Sequence, residues 1–316
     1  MILAPLTPLY AAAVAAKNLA YDRGWRQAHH LEQPVLSVGN LSTGGSGKTP
    51  FVHYLAGLVK RMGHPVDVLS RGYGRATKGV LRVDPGGSAR DFGDEPLLLA
   101  RAGIPVYVGA DRYQAGLLAE STAPAIHLLD DGFQHRQLAR DADIVLVHAT
   151  DFANRLLPAG RLREPLSALR RASVVVLRQE DVAREEQIRN LGVTCPVWIQ
   201  RRHLSALPAG RALAFCGIAR PEEFFAGLER KGVELAATRA FADHHPYAES
   251  DLDQLLRLAA SKGADFCVTT EKDAVRLGDA FCARIRAQLP LEVPRLEVTL
   301  TDEPAAAEWL TSIVRK

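Results

Sequence analysis

The chain has 316 residues, 47% of them hydrophobic and 24% charged, with 39 Lys and Arg against 36 Asp and Glu. That length suits two domains of ordinary size, and the composition excludes a disordered, collagen-like or repeat architecture. A net charge of +3 is too slight to predict a nucleic-acid surface. The four cysteines (Cys195, Cys216, Cys267, Cys282) lack Cys-x-x-Cys spacing and lie in apolar stretches, which predicts reduced, buried thiols in a cytosolic compartment.

In chain order the first feature is an uncharged stretch, residues 3–16, followed by Lys17, Arg23 and Arg26. It is too short to span a bilayer, and it lacks the basic n-region of a secretory leader. Two readings of this segment, residues 1–30, stay open: a helix packed on the protein, or one lying on a membrane surface.

An apolar run at 34–39 then predicts a strand, and the sequence Gly44-Gly45-Ser46-Gly47-Lys48-Thr49-Pro50 leads from it into a helical pattern beginning at Phe51. Strand, glycine-rich turn, Lys-Thr and helix form the arrangement that wraps backbone N–H groups around a polyphosphate. Glycines let those groups converge without a Cβ in the way. The helix N-terminus adds partial positive charge, Lys48 reaches the β/γ-phosphates, and the Thr49 hydroxyl suits Mg²⁺. The strict pattern would place one more glycine at Ser42. The expected nucleotide cradle is therefore Thr43, Gly44, Gly45, Ser46, Gly47, Lys48, Thr49 and Pro50.

Beyond it, short apolar runs at 66–69, 104–108, 125–129, 144–147 and 174–177 alternate with helical patterns at 94–102 and 113–120. This predicts an α/β fold, a P-loop domain whose parallel sheet is covered on both faces. A second alternating unit starts after Leu207-Pro208-Ala209-Gly210, with strands at 212–215, before Phe241, at 266–269 and at 296–300. Its helices are expected at 221–231, 251–262, near Asp273 and at 304–314. The boundary falls near residue 207, giving a core over 31–207 and a smaller α/β unit over 208–316.

A P-loop needs a carboxylate on the metal side, and Asp130-Asp131 follow the strand at 125–129 at the edge where ligands of such sheets bind. A solvated Asp-Gly turn would look the same. Asp94, in Gly93-Asp94-Glu95-Pro96, suits either a helix start or a base that accepts a hydroxyl proton. His244 and His245, in Asp243-His244-His245-Pro246, read as a turn or as partners that tune such a carboxylate. Arg71, Arg75, Arg112, Arg136, Arg161 and Arg163 fall where strands give way to loops, a placement that suits phosphate recognition. Thr270-Glu271-Lys272-Asp273 has the letters of a GTPase base motif but not its spacing, and Thr43 stands where partition ATPases carry lysine.

The ordered series Val38-Gly39-Asn40, Gly44 to Pro50, Ser70-Arg71-Gly72-Tyr73-Gly74, Gly93-Asp94-Glu95-Pro96, Asp130-Asp131-Gly132-Phe133-Gln134-His135, Asp243-His244 and Thr269 to Ala274 resembles the tetraacyldisaccharide 4′-kinases. The resemblance runs to about residue 277, nearly the whole chain. It implies a RecA-like P-loop core and a kinase of lipid A assembly. Such a kinase moves the γ-phosphoryl of ATP, with Mg²⁺, to the 4′-hydroxyl of a tetraacylated glucosamine disaccharide 1-phosphate at the cytosolic face of the inner membrane. The 1–30 segment then becomes a monotopic anchor, with neither nucleic acid nor an obligate protein partner.

Carried over by motif, Asp94 is the base, His244 its partner, and Lys48 and Asp131 belong to the catalytic set. Thr49 and Asp130 are expected at the metal, with Glu164 reaching it in a closed form, and Arg71, Arg75 and Asn40 on the substrate side. His245 is an extra histidine beside the family's position. A nucleotide-driven switch ATPase and a kinase for a soluble sugar are the alternatives, separable by their need for an acceptor hydroxyl and a membrane.

Overall fold

The computed structural model describes residues 4–45 and 47–314. Ser46, expected in the nucleotide cradle, lies outside the described residues.

The chain opens with α1 (Thr7–Asp22). None of its side chains is buried, and it is fastened by polar contacts: Tyr10 Oη donates to the Arg163 carbonyl at 3.0 Å and Lys17 Nζ to the Gln134 carbonyl at 2.9 Å. α1 is thus docked on the protein by polar contacts, with its apolar residues exposed or only partly covered. Leu6, Leu9, Leu19 and Trp25 all point into solvent in and beside it.

The expected alternation follows. β1 (Val35–Asn40) enters α2 (Lys48–Arg61), then β2 (Val66–Ser70), the two-residue β3 (Leu81–Arg82), α3 (Ala89–Phe92), α4 (Asp94–Arg101) and β4 (Val106–Val108). Next come α5 (Arg112–Glu120), β5 (Ile126–Asp130), β6 (Ala142–Leu146), β7 (Val174–Arg178), α6 (Glu185–Asn190) and β8 (Val197–Leu204). β1, β2, β5 and β7 are buried along their whole length, as strands covered on both faces must be.

The second unit holds β9 (Arg211–Cys216), α7 (Pro221–Arg230), β10 (Glu234–Ala240), α8 (Glu249–Lys262), β11 (Phe266–Val268), α9 (Glu271–Arg286, kinked at Gly278) and β12 (Leu291–Glu292). β13 (Leu296–Leu300) and α10 (Glu303–Val314) close the chain.

Two sheets result. The larger runs β13-β8-β7-β6-β1-β5-β2-β4-β3, parallel except at its edges, where β3 and β13 are antiparallel to their neighbours. The smaller, β10-β9-β11-β12, is wholly parallel. The last strand and helix, expected to finish the second unit, belong to the first: β13 pairs with β8, and Leu310 and Ala306 of α10 are fully buried in its core. Burial explains the return, since Trp198 of β8 packs edge-on against Trp309 at 5.3 Å. The second sheet is thus confined to 211–292.

β1 lies between β5 and β6, where the strand order reverses, and that crevice is where such sheets bind ligands. If α10 is integral to the first unit, Leu310→Ala should lower its stability by about 2–5 kcal/mol, the cost of an unfilled core site. Urea unfolding followed by Trp fluorescence measures this, and an unchanged midpoint would detach the helix from the core.

Candidate active site

The crevice opens into a cavity of about 1090 Å³ lined by the P-loop, Ser70, Arg71, Tyr73, Glu95, Asp130, Asp131, Arg163, His244 and Lys272. Residues from both units contribute.

The P-loop side is built on a close approach. A Cβ on Gly39 would stand 2.5 Å from the Phe133 Cβ, so only glycine lets β1 pass the turn after β5. Gly47, at φ 81°, caps α2 in the left-handed region, turning the backbone into the helix. Lys48 Nζ donates to Asn40 Oδ1 at 3.0 Å and lies 3.3 Å from Asp131 Oδ1. Arg163 grips Asp131 through both oxygens, at 2.8 and 2.9 Å, and also donates to Asn40 Oδ1 at 2.9 Å. Asn40, expected on the substrate side, is instead a fully buried brace that joins Lys48, Arg163 and the Ser42 carbonyl. Burial alone would raise the Asp131 carboxyl, but Lys48 and Arg163 hold it well below the usual range.

Asp130 differs. Burial, then Glu95 and Asp131, push its carboxyl up to about 7. Its Oδ2 accepts from Ser70 Oγ at 3.2 Å, while Oδ1 and the Thr49 hydroxyl are buried without a partner among the described residues. An orphaned hydroxyl and an orphaned carboxylate oxygen beside a P-loop lysine fit Mg²⁺. Among the described residues no three His, Cys, Asp or Glu side chains cluster as a metal cage. Mg²⁺ in nucleotide sites needs none, since phosphates and water complete its shell.

The opposite wall is shared: Tyr73 and Glu95 of the first unit meet His244 and Lys272 of the second. Asp94, at the start of α4, is 5% exposed. Its Oδ1 accepts from the adjacent Glu95 N–H at 2.9 Å, but Asp94 is the first residue of the helix and not its cap, which is Gly93 and makes no side-chain capping bond. Its Oδ2 accepts from Arg276 Nε of α9 at 2.8 Å and lies 3.1 Å from His244 Nδ1. His244, not His245, is therefore the partner, and Tyr73 packs on its ring. His245 turns away to Asp251 and stacks on Phe241. Burial would raise Asp94, but the His244 hydrogen bond, Lys272 and Arg276 hold it well below the ordinary range. Reciprocally, Asp94 raises His244. Asp131 and His244 are the two non-glycine residues at positive φ (53° and 58°) among the described residues, a strain that gathers where side chains must be aimed.

Lys272 pairs with Glu95, and Arg276 also donates to Asp273 and to the Gly217 carbonyl at 2.6 Å. The Thr-Glu-Lys-Asp stretch thus clamps the Gly-Asp-Glu-Pro stretch across the cavity. Glu95, Lys272 and Arg276 were absent from the expected site, and Arg163, expected at a phosphate, holds Asp131 and Asn40. The signal of the first three was position: each lies within or just beyond a motif already singled out.

Two expected residues are elsewhere. Glu164, expected at the metal, is 2% exposed, with its oxygens on Arg171 at 2.9 and 3.1 Å and Asn18 at 2.7 Å; it ties α1 to the core and does not line the cavity. Arg75 bonds the Gly79 carbonyl and does not line it either, whereas Arg71 does.

A P-loop at a strand-order reversal, with carboxylates and an ion-paired histidine facing it, defines a nucleotide-dependent phosphotransferase of the P-loop α/β class. The family model described as tetraacyldisaccharide-1-P 4′-kinase matches residues 1–315. A tetraacyldisaccharide 4′-kinase of Koribacter versatilis is 45% identical, the alignment covering 99% of this chain and 98% of the relative; one of Geobacter metallireducens is 43% identical over 88% of each. The crystal structure of the Aquifex aeolicus family member described as the "apo" form in complex with ATP superposes with a TM-score of 0.80 at 33% identity, covering 99% and 98% of the two chains. This chain belongs to the tetraacyldisaccharide 4′-kinase family and is an enzyme of that kind.

Arg163→Ala should leave Asp131 and Asn40 without their brace and weaken ATP binding about tenfold or more, the usual worth of charge-assisted hydrogen bonds. Calorimetric titration checks it, and unchanged affinity would show that Lys48 alone orders the loop.

Proposed function

We propose that this chain transfers the γ-phosphoryl group of ATP to the 4′-hydroxyl of a tetraacylated glucosamine disaccharide 1-phosphate, a step of lipid A synthesis. The observation that carries this reading is His244, which lines the P-loop cavity with its Nδ1 3.1 Å from the buried Asp94 carboxylate behind it.

In the reaction a bond forms between the acceptor oxygen and the γ-phosphorus, the bond to the β–γ bridging oxygen breaks, and ADP leaves. Lys48 and the P-loop N–H groups hold the β- and γ-phosphates and offset charge as it grows on the leaving oxygen. Thr49 and Asp130 would hold Mg²⁺, which supplies further charge neutralisation at the phosphates. Asp131, fixed by Arg163, keeps Lys48 aimed along the loop.

The acceptor proton goes to the Asp94–His244 pair, with Asp94 as base. A carboxylate this acidic suffices because phosphoryl transfer has a loose transition state, in which the hydroxyl turns acidic only as its bond to phosphorus forms. His244 shares the incoming proton through Nδ1, and Arg276 keeps Asp94 ionised and oriented. Arg71, on the cavity wall, suits the acceptor's phosphate.

No helix among the described residues is long and apolar enough to cross a membrane. The outward Leu9 and Trp25, with Lys17, Arg23 and Arg26 nearby, suit a helix lying on an anionic lipid surface at the cytosolic leaflet. Leu9→Glu combined with Trp25→Glu should reduce co-sedimentation with phosphatidylglycerol vesicles while the melting temperature holds. Undiminished sedimentation would remove α1 from the membrane.

Asp94→Asn should lower kcat by roughly 10²–10⁴-fold, the range of positioned acid–base groups. Near-wild-type turnover would exclude Asp94 as the base. The groups facing His244 are Asp94 and Asp243, which raise it, and Arg276, which opposes them. As pH falls, His244 therefore takes a proton earlier than a free histidine, and the loaded pair no longer accepts the hydroxyl's. The acid limb of kcat/KM should thus bend above about 6.5, the free-histidine value. A limb unaltered in His244→Asn would exclude this histidine from the profile.

A further inference from the structure

The phosphate cradle uses one end of the cavity. The other end continues past Gly47 along β8 and α7, and its walls carry a cluster to which the reaction above gives no part. Three guanidinium groups converge there on one carboxylate, Glu223 of α7. Arg178 Nη1 donates to it at 3.0 Å, Arg220 Nη1 at 3.0 Å, and Arg202 Nη1 stands 3.9 Å away, beyond hydrogen-bonding reach. His148 Nε2 lies 3.2 Å from the same carboxylate. Arg178 and Arg220 are nine-tenths buried. Arg178 Nη2 and both Nε and Nη1 of Arg202 are buried donors without an acceptor among the described residues. Arg230 and Lys231 against Glu180 and Glu222 leave the rim no less cationic.

Buried donors that meet no acceptor cost free energy, and like charges crowded together cost more, unless an anion joins them. Crowding is felt at Arg202, where burial and then Arg178 bring the guanidinium down to about 10. Place narrows the kind of anion. Arg178 is the last residue of β7, paired with Gln200 of β8, and Arg202 lies two residues further toward the ligand edge of the sheet. A Cβ on Gly47 would stand 3.5 Å from Arg202 Nη1, so this guanidinium flanks the P-loop itself. β5, with Asp130, lies on one side of β1; β6, β7 and β8 lie on the other. A nucleotide whose terminal phosphates face Lys48 and Asp130 extends its remaining length toward β7 and β8. Beyond the arginines the wall turns apolar, with Leu204, Ile218 and Leu296.

We propose that Arg178, Arg202 and Arg220 grip the phosphate nearest the ribose of the bound nucleotide, whose base lies on the wall of Leu204, Ile218 and Leu296. The proposal rests on the P-loop kinase reading. It gives the second unit a direct hold on ATP through Arg220, and it explains why one carboxylate stands among three arginines: Glu223 spaces them and leaves the donors of Arg202 facing the ligand.

Arg202 is the residue to change, because its Nε and Nη1 have no hydrogen-bond partner among the described residues. Binding of ATP and of ADP is titrated against wild type, Arg202→Ala, Arg202→Lys and, as control, Lys48→Ala, with thermal melts confirming folding and the lipid KM measured alongside. Arg202→Ala should weaken ATP and ADP by the same factor, about ten- to hundredfold for lost charge-assisted hydrogen bonds, because both carry that phosphate. Arg202→Lys should recover part of the loss, and the lipid KM should stay unchanged. Unchanged ATP and ADP affinity, with Lys48→Ala still impaired, overturns the proposal and leaves the kinase reading intact. A rise confined to the lipid KM also overturns it, by assigning the arginines to the acceptor's phosphate. Wild-type protein that binds no nucleotide would overturn both.

Discussion

The contact on which the site depends is the ion pair between Arg276 of the second unit and Asp94 of the first, 2.8 Å long and nearly closed to solvent. A buried carboxylate and a buried guanidinium each cost desolvation, and the pair is favourable only when further hydrogen bonds satisfy both. Here they do. Asp94 also accepts from the Glu95 N–H and meets His244, while Arg276 also donates to Asp273 and the Gly217 carbonyl. Breaking the contact leaves uncompensated charge on both units, so this pair couples the two units at the cavity. Lys272 and Glu95 repeat the arrangement, one residue on from Asp94 and four residues before Arg276.

The P-loop wall is organised by the same logic with the signs distributed differently. Asp131 is saturated with cations, Lys48 and Arg163, and is held ionised; Asp130, one residue earlier, is surrounded by carboxylates and pushed up to about 7. Adjacent aspartates thus have opposite electrostatic settings, one held by cations and the other buried beside carboxylates. The backbone places Asp131 at φ 53°.

Much of this was legible in the chain. The strand–loop–helix around Gly44 to Thr49 and the alternation that makes a parallel sheet were readable from spacing and residue type, whereas the pairing of Asp94 with His244 came from the resemblance of the motif series. Three things were not. β8 reads poorly because Gln200, Arg201, Arg202 and His203 interrupt its apolar pattern: one end of it lines a polar cavity instead of core. The return of β13 to the first sheet is fixed by pairing with β8, a contact across almost a hundred residues that no local pattern encodes. Glu164 was misplaced because its partner Arg171 and its neighbour Asn18 are specified by folding, whereas a carboxylate beside arginines in sequence looks the same at a metal or at a brace. Lys272 and Asp273 show the converse: letters that fail as a guanine-reading motif succeed as a clamp on the opposite unit.

The account stands most directly on a double-mutant cycle between Asp94→Asn and Arg276→Gln, read as kcat/KM for transfer of ³²P from γ-labelled ATP to a tetraacyl disaccharide 1-phosphate in detergent micelles. If Arg276 acts through Asp94, wild type labels the lipid, each single variant is impaired, and the double variant is no worse than Asp94→Asn alone. Losses that multiply, or a wild-type protein that leaves the lipid unlabelled, would contradict it.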